Sequence, residues 1–580
     1  MLGQMQFDSV HVLSSVGVVA VLYLFYFIIQ TTRNELRIRR LGVRAPVLAQ
    51  TPCTGLRWFV AAARAQLNHR LFEFFDDMFA AARGAPTGDD CVEVQVTRAG
   101  GQRYIITRDP EHVKAILAGQ FAQFGKGKEF HDRWSPFLGD SIFTTDGALW
   151  HDSRGMIRPM FVKDRVSDLV VFERWSAALV RQIERQRRGL VDFGAEKHNG
   201  GGEGVVDIQS LFYRMTLDIT TDFLLGASVD SLSNPRDEFA EAFNEVQRLQ
   251  MYITMLGPFF RVVPRRRYKA GIRAIDRFVM PYIEAALKLP AAELEKRTSA
   301  SSSEFTFLHS VARHTRDPKV LRDQIVAVLL AGRDTTAATL SWAFYQLSRY
   351  PAKVARLRAE ILDTVGPAPN APSYENLKNM PYLRHVLSET LRMYPAVPYN
   401  LRIALEDTAI PSKDGQGPPI AVLKDDVVVY STLSMQRRRN LYPQSRDGGD
   451  FADPALFEPE RWENWTPKPW TYVPFNGGPR ICVGQNFALT EMAYVVVRLL
   501  QKYDQIEYVG DWNAQFHEPE IVGKPGQGLR SGCTRQRVQR DEREWEPKSG
   551  TLEEPLVPIT TEKEEEMKKT KRIQRRGGWA

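Results

Sequence analysis

The chain of 580 residues has only four cysteines, and no two of them form a C-x-x-C pair. They are Cys53, Cys91, Cys482 and Cys533. Cysteines so widely separated argue against a disulfide framework and against a structural zinc site. No dense stripe of Lys and Arg is present, so nucleic-acid binding is not expected either. The remaining composition, without an excess of Gly or Pro, is that of a globular protein in a reducing compartment.

Acidic residues, Lys and Arg are all missing from the twenty residues Val10–Ile29. As a helix this segment would be about 30 Å long, the thickness of the bilayer's hydrocarbon core. An arginine-rich segment follows it, and the positive-inside rule then places the later chain in the cytosol. We therefore predict a luminal tip and transmembrane anchor in residues 1–32 and a basic linker in residues 33–50. A cleaved signal peptide would need a basic start and a small-residue cleavage site.

Helical periodicity dominates the rest of the chain, and residues 51–535 contain no long linker and no repeat. Strand-like composition is confined to short runs, among them Val92–Val96, Tyr104–Thr107 and Asp426–Thr432. We expect surface loops at the Gly-rich residues 199–204 and the Ser-rich residues 298–303. The highly charged residues 536–580 predict a disordered tail. The fold class predicted is mainly α with small β-sheets.

One proline-free segment is long enough for an unusually long helix. It lies between Asp317-Pro318, a favourable N-cap and N1 pair, and the next proline, Pro351. A helix of this length is about 50 Å long, and its largely apolar surface places it in the middle of the domain.

An acid and an alcohol, Asp334 and Thr335, lie inside this helix, where neither residue type is favoured. With Gly332 they predict a local widening or kink that makes room for a ligand. An acid beside a hydroxyl in a dry groove can deliver protons. The simpler alternative is a solvated polar stripe on the helix.

The strongest motif is the loop FNGGPRICVG, Phe475–Gly484, which is followed by an apolar helical pattern. The loop places Cys482 at a helix start, where free backbone N–H groups favour a thiolate. Gly478 and Gly484 permit a tight turn around the sulfur. A buried structural cysteine is the alternative for any single Cys.

This loop resembles the haem-binding signature of the cytochrome P-450 superfamily, F-x-x-G-x-R-x-C-x-G, at every fixed position. The resemblance implies the cytochrome P-450 fold and haem b, with the Cys482 thiolate as the axial ligand of the iron. It also implies that Phe475 shields the sulfur and that Arg480 pairs with a haem propionate.

Further motifs carry the same resemblance. Trp150 and Arg154 match W-x-x-x-R, which supplies two propionate donors. Arg402 sits where the superfamily often supplies another propionate partner. Asp334 and Thr335 match its acid–alcohol pair, which implies a catalytic proton relay. An amphipathic surface helix remains the alternative for the Trp150–Arg154 motif.

A second charged motif resembles the superfamily's scaffold. Glu389 and Arg392 form an E-x-x-R pair, and Arg461 follows them before the Cys loop. The resemblance implies a Glu–Arg–Arg network that supports the proximal side of the haem. An isolated E-x-x-R is more often an exposed pair of little energetic value.

Several stretches, including residues 136–147, 158–161, 394–402 and 475–497, resemble the fungal n-alkane and fatty-acid hydroxylating branch. This resemblance implies a membrane-anchored monooxygenase acting on a long-chain alkane or fatty acid. It implies electrons from a separate NADPH-cytochrome P-450 reductase, cytochrome b5 as an additional donor, and a cytosolic domain on the endoplasmic reticulum. A sterol or secondary-metabolite oxidase, a haem-thiolate isomerase or lyase, and an inactive haem-binding relative remain alternatives.

Some positions depart from the pattern. Ala331 replaces the Glu that animal fatty-acid ω-hydroxylases often esterify to haem, so no such covalent link is expected. Gln436 replaces a usual His. After Arg530 the pattern predicts an apolar strand pair lining the substrate pocket, whereas the sequence becomes charged. The apolar residues Met251–Phe260 are expected at the substrate entrance, with ordinary helix core as the alternative.

Overall fold

The computed structural model describes residues 2–49, 52–82, 90–96, 102–162, 168–189, 204–234, 237–256, 263–298, 305–412, 417–443 and 453–534. Most of the two predicted surface loops and all of the predicted charged tail lie outside these residues. The described residues belong to one compact unit, Met1–Gln536.

Helices make up most of the described chain, as the sequence predicts. In chain order they are α1 Leu2–Leu41, α2 Pro52–Leu67, α3 Leu71–Ala81, α4 Pro110–Lys114, α5 Gly127–Leu138, α6 Gly147–Ile157, α7 Val170–Arg187, α8 Ile208–Leu225, α9 Glu238–Met255, α10 Arg265–Lys288, α11 Ala291–Arg297, α12 Phe307–His314, α13 Pro318–Arg349, α14 Pro351–Thr364, α15 Tyr374–Lys378, α16 Pro381–Met393, α17 Thr432–Gln436, α18 Arg461–Asn464 and α19 Gln485–Lys502. Short 3₁₀ turns include Arg158–Phe161 and Gly478–Arg480.

Thirteen short strands in the described residues form four small sheets. The strands are β1 Val47–Ala49, β2 Cys91–Val96, β3 Gln102–Thr107, β4 Phe124–Gly125, β5 Val205–Asp207, β6 Tyr399–Ala404, β7 Thr408–Ile410, β8 Ile420–Val422, β9 Val427–Ser431, β10 Gln505–Tyr508, β11 His517–Pro519, β12 Gly523–Pro525 and β13 Arg530–Thr534. The largest sheet has the order β1-β2-β3-β9-β6-β4, with β2 antiparallel and β9 parallel to β3. All three predicted strands lie in this sheet, as β2, β3 and β9.

The long helix α13 is the centre of the fold. The Asp317 carboxylate caps it by accepting from the backbone N–H of Lys319 at 2.8 Å. The helix runs without interruption through Gly332. A Cβ at Gly332 would lie 3.0 Å from Thr220 Oγ1 of α8, so the glycine permits close packing of α8. Gly332 therefore has a packing role at this contact, and the predicted widening or kink of α13 stays a prediction.

A large apolar cluster joins α7, α8, α13 and α19. Leu179, Phe212, Leu340 and Val496 are among its fully buried members. Burial of such a side chain contributes about 1.5–3 kcal/mol. The cluster holds α19, the helix after the Cys loop, against α13, the helix that carries Asp334.

The N-terminal helix α1 contains the predicted anchor segment and the first half of the predicted basic linker. Near its end, Ile38 is buried against Ala421 and Leu423, and Arg37 forms an ion pair with Asp407. Among the residues that the structure describes, we find no helix long and apolar enough to cross a membrane.

Candidate active site

A backbone hydrogen bond joins the two ends of the Cys loop, in which the N–H of Cys482 donates to the Phe475 carbonyl at 3.0 Å. Gly478 in the turn has φ +64°, and a Cβ there would lie 1.8 Å from the Leu117 carbonyl oxygen. Only glycine fits that position. Gly484 has φ −93°, and a Cβ there would make only an ordinary contact with Phe161. Unlike Gly478, this position does not require glycine.

The Cys482 side chain has exposed surface. Protein atoms nevertheless surround it closely, and the resulting desolvation raises the pKa of its thiol above the usual value. The Gly484 N–H and the Arg154 guanidinium act in the opposite direction and favour the thiolate. The predicted influence of the helix start is therefore present but is outweighed by desolvation. Bound metal would complete the deprotonation, because metal ligation requires the thiolate.

Helix α6 places Trp150 and Arg154 beside this loop. Arg154 Nη1 donates to the Ile481 carbonyl at 3.0 Å, next to Cys482. Trp150 is buried, and the Arg480 guanidinium lies 4.7 Å from its ring centroid. The structure thus brings together four of the site residues that the sequence motifs predict.

Arg402 is buried and Arg480 is half-buried, and among the described residues each has a guanidinium N–H group without an acceptor. Arg402 is 2% exposed and donates through Nη1 to the Leu401 carbonyl at 2.8 Å. Arg480 Nη2 donates to Asp146 Oδ1 at 2.6 Å. Within the described residues, the Nε atom of each arginine is buried without a hydrogen-bond partner. Burial, followed by the nearby Arg402, lowers the pKa of Arg480 to about 10. Such a cationic cluster fits the carboxylates of haem.

Two further charged residues in this cluster are not predicted from the sequence. Lys126 is buried, and burial, Arg402 and Arg480 hold its pKa well below the usual value. Asp146 accepts from the backbone N–H groups of Lys126 and Gly127 at 2.8 and 2.7 Å. Lys126 belongs to no motif, and Asp146, although it lies in the 136–147 stretch, carries no signal in the sequence that places it among these arginines.

The predicted acid–alcohol pair lies at the middle of α13. Thr335 Oγ1 donates to the Ala331 carbonyl at 2.7 Å. Asp334 is 5% exposed, and its Oδ1 lies 3.5 Å from Arg333 Nη1 without an aligned hydrogen bond. Burial raises the pKa of the Asp334 carboxyl, although Arg333 and Lys524 act to lower it. Asp334 can therefore remain protonated at a higher pH than an exposed carboxyl can.

Asp334 also lines a cavity of about 590 Å³ between α8, α9 and the turn after β11. Tyr213, Glu520 and Lys524 contribute polar groups to its wall. Of the stretch expected at the substrate entrance, Met251 lines this cavity, whereas Ile253 is buried in the core. Residues 257–262 lie outside the described residues.

A small apolar cluster lies one turn beyond the acid–alcohol pair. Ala338, Ala396 and Val522 pack together there, with Ile521 beside them. Ile521 and Val522 belong to the β11–β12 hairpin, which precedes Arg530. The strand after it, β13, pairs with β10 and β5. The expectation of an apolar strand pair after Arg530 is therefore corrected: the described residues contain only β13 there, and a largely polar hairpin with two apolar turn residues, Ile521 and Val522, lies earlier in the chain.

The predicted charged network is buried. Glu389 binds Arg392 at 2.7 Å and Arg461 at 2.9 Å, and all three side chains are at most 1% exposed. Gln436, in place of the usual His, donates to the Leu391 and Arg392 carbonyls and accepts from the Val473 N–H. The network is thus an internal support, unlike an ordinary exposed E-x-x-R pair.

Comparisons with known proteins agree with this site. The family model described as Cytochrome P-450 matches residues 93–526. Cytochrome P-450 monooxygenase pvhE of Talaromyces variabilis is 44% identical over 517 residues, which cover 88% of this chain and 93% of the relative. Cytochrome P-450 52A1 of Candida tropicalis is 42% identical over 424 residues, 70% of this chain and 73% of the relative. Cytochrome P-450 52A12 of Debaryomyces hansenii is 34% identical over 524 residues, 86% and 94% of the two chains.

The family uses haem whose iron is held by a cysteine thiolate, and its monooxygenases take electrons from a redox partner. The buried arginine cluster and the cysteine loop described above fit that cofactor. From the matched motifs, the extent of the family match and the relatives together, the chain belongs to the cytochrome P-450 family and is a haem-thiolate monooxygenase.

Proposed function

We propose that the chain hydroxylates a long-chain alkane or fatty acid. The observation that carries this substrate class is the buried apolar cluster of Ala338, Ala396 and Val522, one helical turn beyond Thr335, whose member Val522 also lines the cavity beside Asp334. Small apolar side chains there suit an unbranched lipophilic chain. The resemblance of residues 136–147 and 394–402 to the fungal alkane and fatty-acid branch supports the same class.

Cys482 is the proposed iron ligand. Of the other cysteines, Cys91 and Cys533 are buried in strands, and Cys53 lies on α2. Haem, when bound, supplies the activation of dioxygen, and a thiolate ligand promotes cleavage of the O–O bond. Phe475 closes the loop beside the sulfur.

The haem carboxylates are the proposed ligands of Trp150, Arg402 and Arg480. The two arginines offer buried Nε donors, and the Trp150 indole N–H is a further donor. Arg154 is expected to join them in the holoprotein. Its present contact with the Ile481 carbonyl also lets it hold the Cys loop.

Asp334 and Thr335 are the proposed proton relay. Asp334 Oδ1 has capacity to accept or release a proton, because no aligned donor satisfies it within the described residues. The Thr335 hydroxyl donates to Ala331 and retains lone pairs that can accept. The proposed path for the proton runs from Asp334 to the Thr335 hydroxyl, which lies one helical turn from the apolar cluster of Ala338, Ala396 and Val522.

We further propose that α1 anchors the chain in the endoplasmic reticulum membrane, with the catalytic unit in the cytosol. Large apolar side chains of α1 are exposed, among them Val21, Leu22, Leu24, Phe25 and Ile28. A contiguous exposed apolar helix of this kind indicates a membrane or protein contact. The proposed electron donors are NADPH-cytochrome P-450 reductase and, additionally, cytochrome b5.

A different lipophilic substrate, such as a sterol or a secondary metabolite, is the second candidate. It is favoured by the pvhE relative, which does not carry the 52A name yet is 44% identical to this chain over 93% of its own length. A peroxide isomerase or lyase is less favoured, because it needs no proton relay and the Asp334–Thr335 pair is intact.

Turnover separates these candidates. The full-length protein with its reductase and NADPH is incubated with alkanes, fatty acids and sterols, and products are identified by mass spectrometry. A hydroxylated alkane or fatty acid formed with NADPH is the expected result. Conversion of a sterol alone would replace the substrate proposal, and peroxide rearrangement without NADPH would replace the relay proposal.

A further inference from the structure

The chain passes from α1 into the small sheets without a free connection. Helix α1 ends at Leu41. The Val43 N–H then donates to the Pro419 carbonyl at 2.9 Å, and the Val43 carbonyl accepts from the Ala421 N–H at 2.9 Å. The strand β1 follows at once and pairs in parallel with β2. The second half of the segment predicted as a basic linker is therefore hydrogen-bonded to the body of the protein.

The end of α1 is also packed closely against this body. Gly42 has φ +157°, and a Cβ there would lie 2.0 Å from the Pro419 carbonyl oxygen, so only glycine permits this approach. One turn earlier, Ile38 is 1% exposed in a small apolar cluster with β8. Arg37 Nε donates to Asp407 Oδ2 at 2.8 Å. The helix and the catalytic unit therefore meet through direct contacts.

A buried group of charges lies next to this junction. Glu93 of β2 and Asp426, at the start of β9, have side chains that are 0% and 7% exposed. Arg103 of β3 lies between them, with Nη2 donating to Glu93 at 2.9 Å and Nη1 donating to Asp426 at 2.5 Å. Two buried carboxylates thus share one buried arginine.

Arg44 supplies the second cation. It binds Glu93 through Nη1, and its Nε donates to Glu35 of α1 at 2.9 Å. Among the ion pairs of the described residues, Arg44 and Arg103 are the cations that pair with Glu93 or Asp426. A buried carboxylate without a counter-charge is costly. The charges of the catalytic unit are therefore balanced only when Arg44 is in place.

We propose that residues 35–44 form a rigid ionic junction that fixes α1 at one angle to the catalytic unit, with Arg44 as its bridge. Arg44 joins Glu35 on the helix to Glu93 in the sheet, so one side chain connects the two parts. In a bilayer this junction holds the catalytic unit at one tilt to the membrane. The inference rests on the proposed membrane anchoring by α1.

Distances across the junction test its rigidity. In the full-length holoprotein, spin labels are attached through Thr32→Cys on α1 and Ala355→Cys on α14, with Cys53→Ser removing an exposed thiol. Double electron–electron resonance in phosphatidylcholine nanodiscs should give one narrow distance distribution. Insertion of Gly-Ser-Gly-Ser between Leu41 and Gly42 is the flexible reference and should broaden it. A distribution equally broad without the insertion would overturn the rigid junction.

Charge rescue tests the bridge. Arg44→Met should raise the unfolding equilibrium constant at a fixed urea concentration by about tenfold or more, because Glu93 loses its second cation. Adding Glu93→Gln removes the uncompensated carboxylate and should recover most of this loss. Lost packing at Arg44 could not be recovered in this way. If Arg44→Met does not accumulate, the yield of folded double variant is the measurement. A double variant that is no more stable, or no better produced, than Arg44→Met would overturn the bridge.

Arg40→Met is the matched control, because Arg40 is exposed on α1 and makes no ion pair among the described residues. Its unfolding equilibrium constant should equal that of the wild type. Co-elution with nanodiscs reports separately on anchoring by α1. Protein that fails to co-elute would refute the anchor, and the same distance measurement in detergent then still tests the junction. Protein that co-elutes with a broad distance distribution refutes the junction alone.

Discussion

Asp334 and Thr335 lie on one helix but have different hydrogen-bonding states. The Thr335 hydroxyl is engaged with a backbone carbonyl, whereas the buried Asp334 carboxyl keeps an unsatisfied oxygen. An acid with a raised pKa next to a hydroxyl that can exchange partners is suited to proton delivery. The two residues should therefore fail in different ways when they are changed.

Thr335→Ala should keep haem, substrate binding and electron uptake, but it should release more peroxide and form less product per NADPH. Asp334→Asn should slow turnover by roughly 10²–10⁴-fold, the usual contribution of a general acid–base group. The control is Thr339→Ala, because Thr339 makes the same type of bond, to the Thr335 carbonyl at 2.8 Å. Unchanged coupling of NADPH to product in Thr335→Ala would refute the relay.

At the residue scale, sequence motifs alone predict most of the proposed site. The spacing of Trp150, Arg154, Arg480 and Cys482 within their motifs identifies these four residues, and they lie together in the fold. Lys126 is not predictable in this way, because a single charge outside any motif carries no sign of its burial. Its hydrogen bonds to Asn400 and Leu401 of β6 arise only when β4 joins β6 in the sheet.

The Cys loop depends on one glycine for its shape. Gly478→Ala combines a left-handed backbone conformation with a clash against the Leu117 carbonyl, which together should cost about 2–5 kcal/mol. Gly189→Ala is the control, because Gly189 has φ +63° with no atom within 4 Å of the added Cβ. It should cost only about 1–2 kcal/mol. Equal thermal stability and haem content in the two variants would contradict this reading of the loop.

The buried Glu389 network should be far more sensitive than an exposed ion pair. Glu389→Gln leaves the guanidinium groups of Arg392 and Arg461 without their carboxylate, which should cost about 3–5 kcal/mol. Glu463→Gln breaks an exposed pair with Arg356 and should cost at most about 1 kcal/mol. Denaturant unfolding of both variants, or the yield of folded protein, measures the difference. Similar losses of unfolding free energy in the two variants would mean that burial does not determine how much the network stabilises the fold.

At the scale of elements, long periodic segments are predictable from the sequence and short connections are not. The cap at Asp317 and the next proline at Pro351 locate α13 almost to the residue, because local signals determine both ends. The β11–β12 hairpin escapes prediction because three-residue strands have too little periodicity to detect. The apolar residues of its turn, Ile521 and Val522, join the proposed site only because the fold packs them near Ala338 of α13.

At the scale of the whole molecule, membrane binding by the apolar part of α1 and haem binding by the catalytic unit should be independent of each other. Deletion of residues 2–32 should release the protein from microsomal membranes while leaving haem binding intact. The deletion keeps Arg37 and Ile38, which bind the body of the protein. Carbonate extraction, with haem content measured on the released protein, gives the result. A truncated protein that stays in the membrane would contradict the anchor, and protection of the full-length catalytic unit from protease in sealed microsomes would contradict its cytosolic placement.

The ferrous–CO difference spectrum tests the assignment of Cys482 most directly, because it reports the ligand opposite the CO. Wild-type protein should show the red-shifted Soret band of a thiolate-ligated haem, and Cys482→Ala should lose this band or bind little haem. Cys53→Ser, which changes an exposed cysteine on α2, should retain the wild-type spectrum. A Cys482→Ala protein with the full thiolate band would contradict the assignment of Cys482 and the active site built around it.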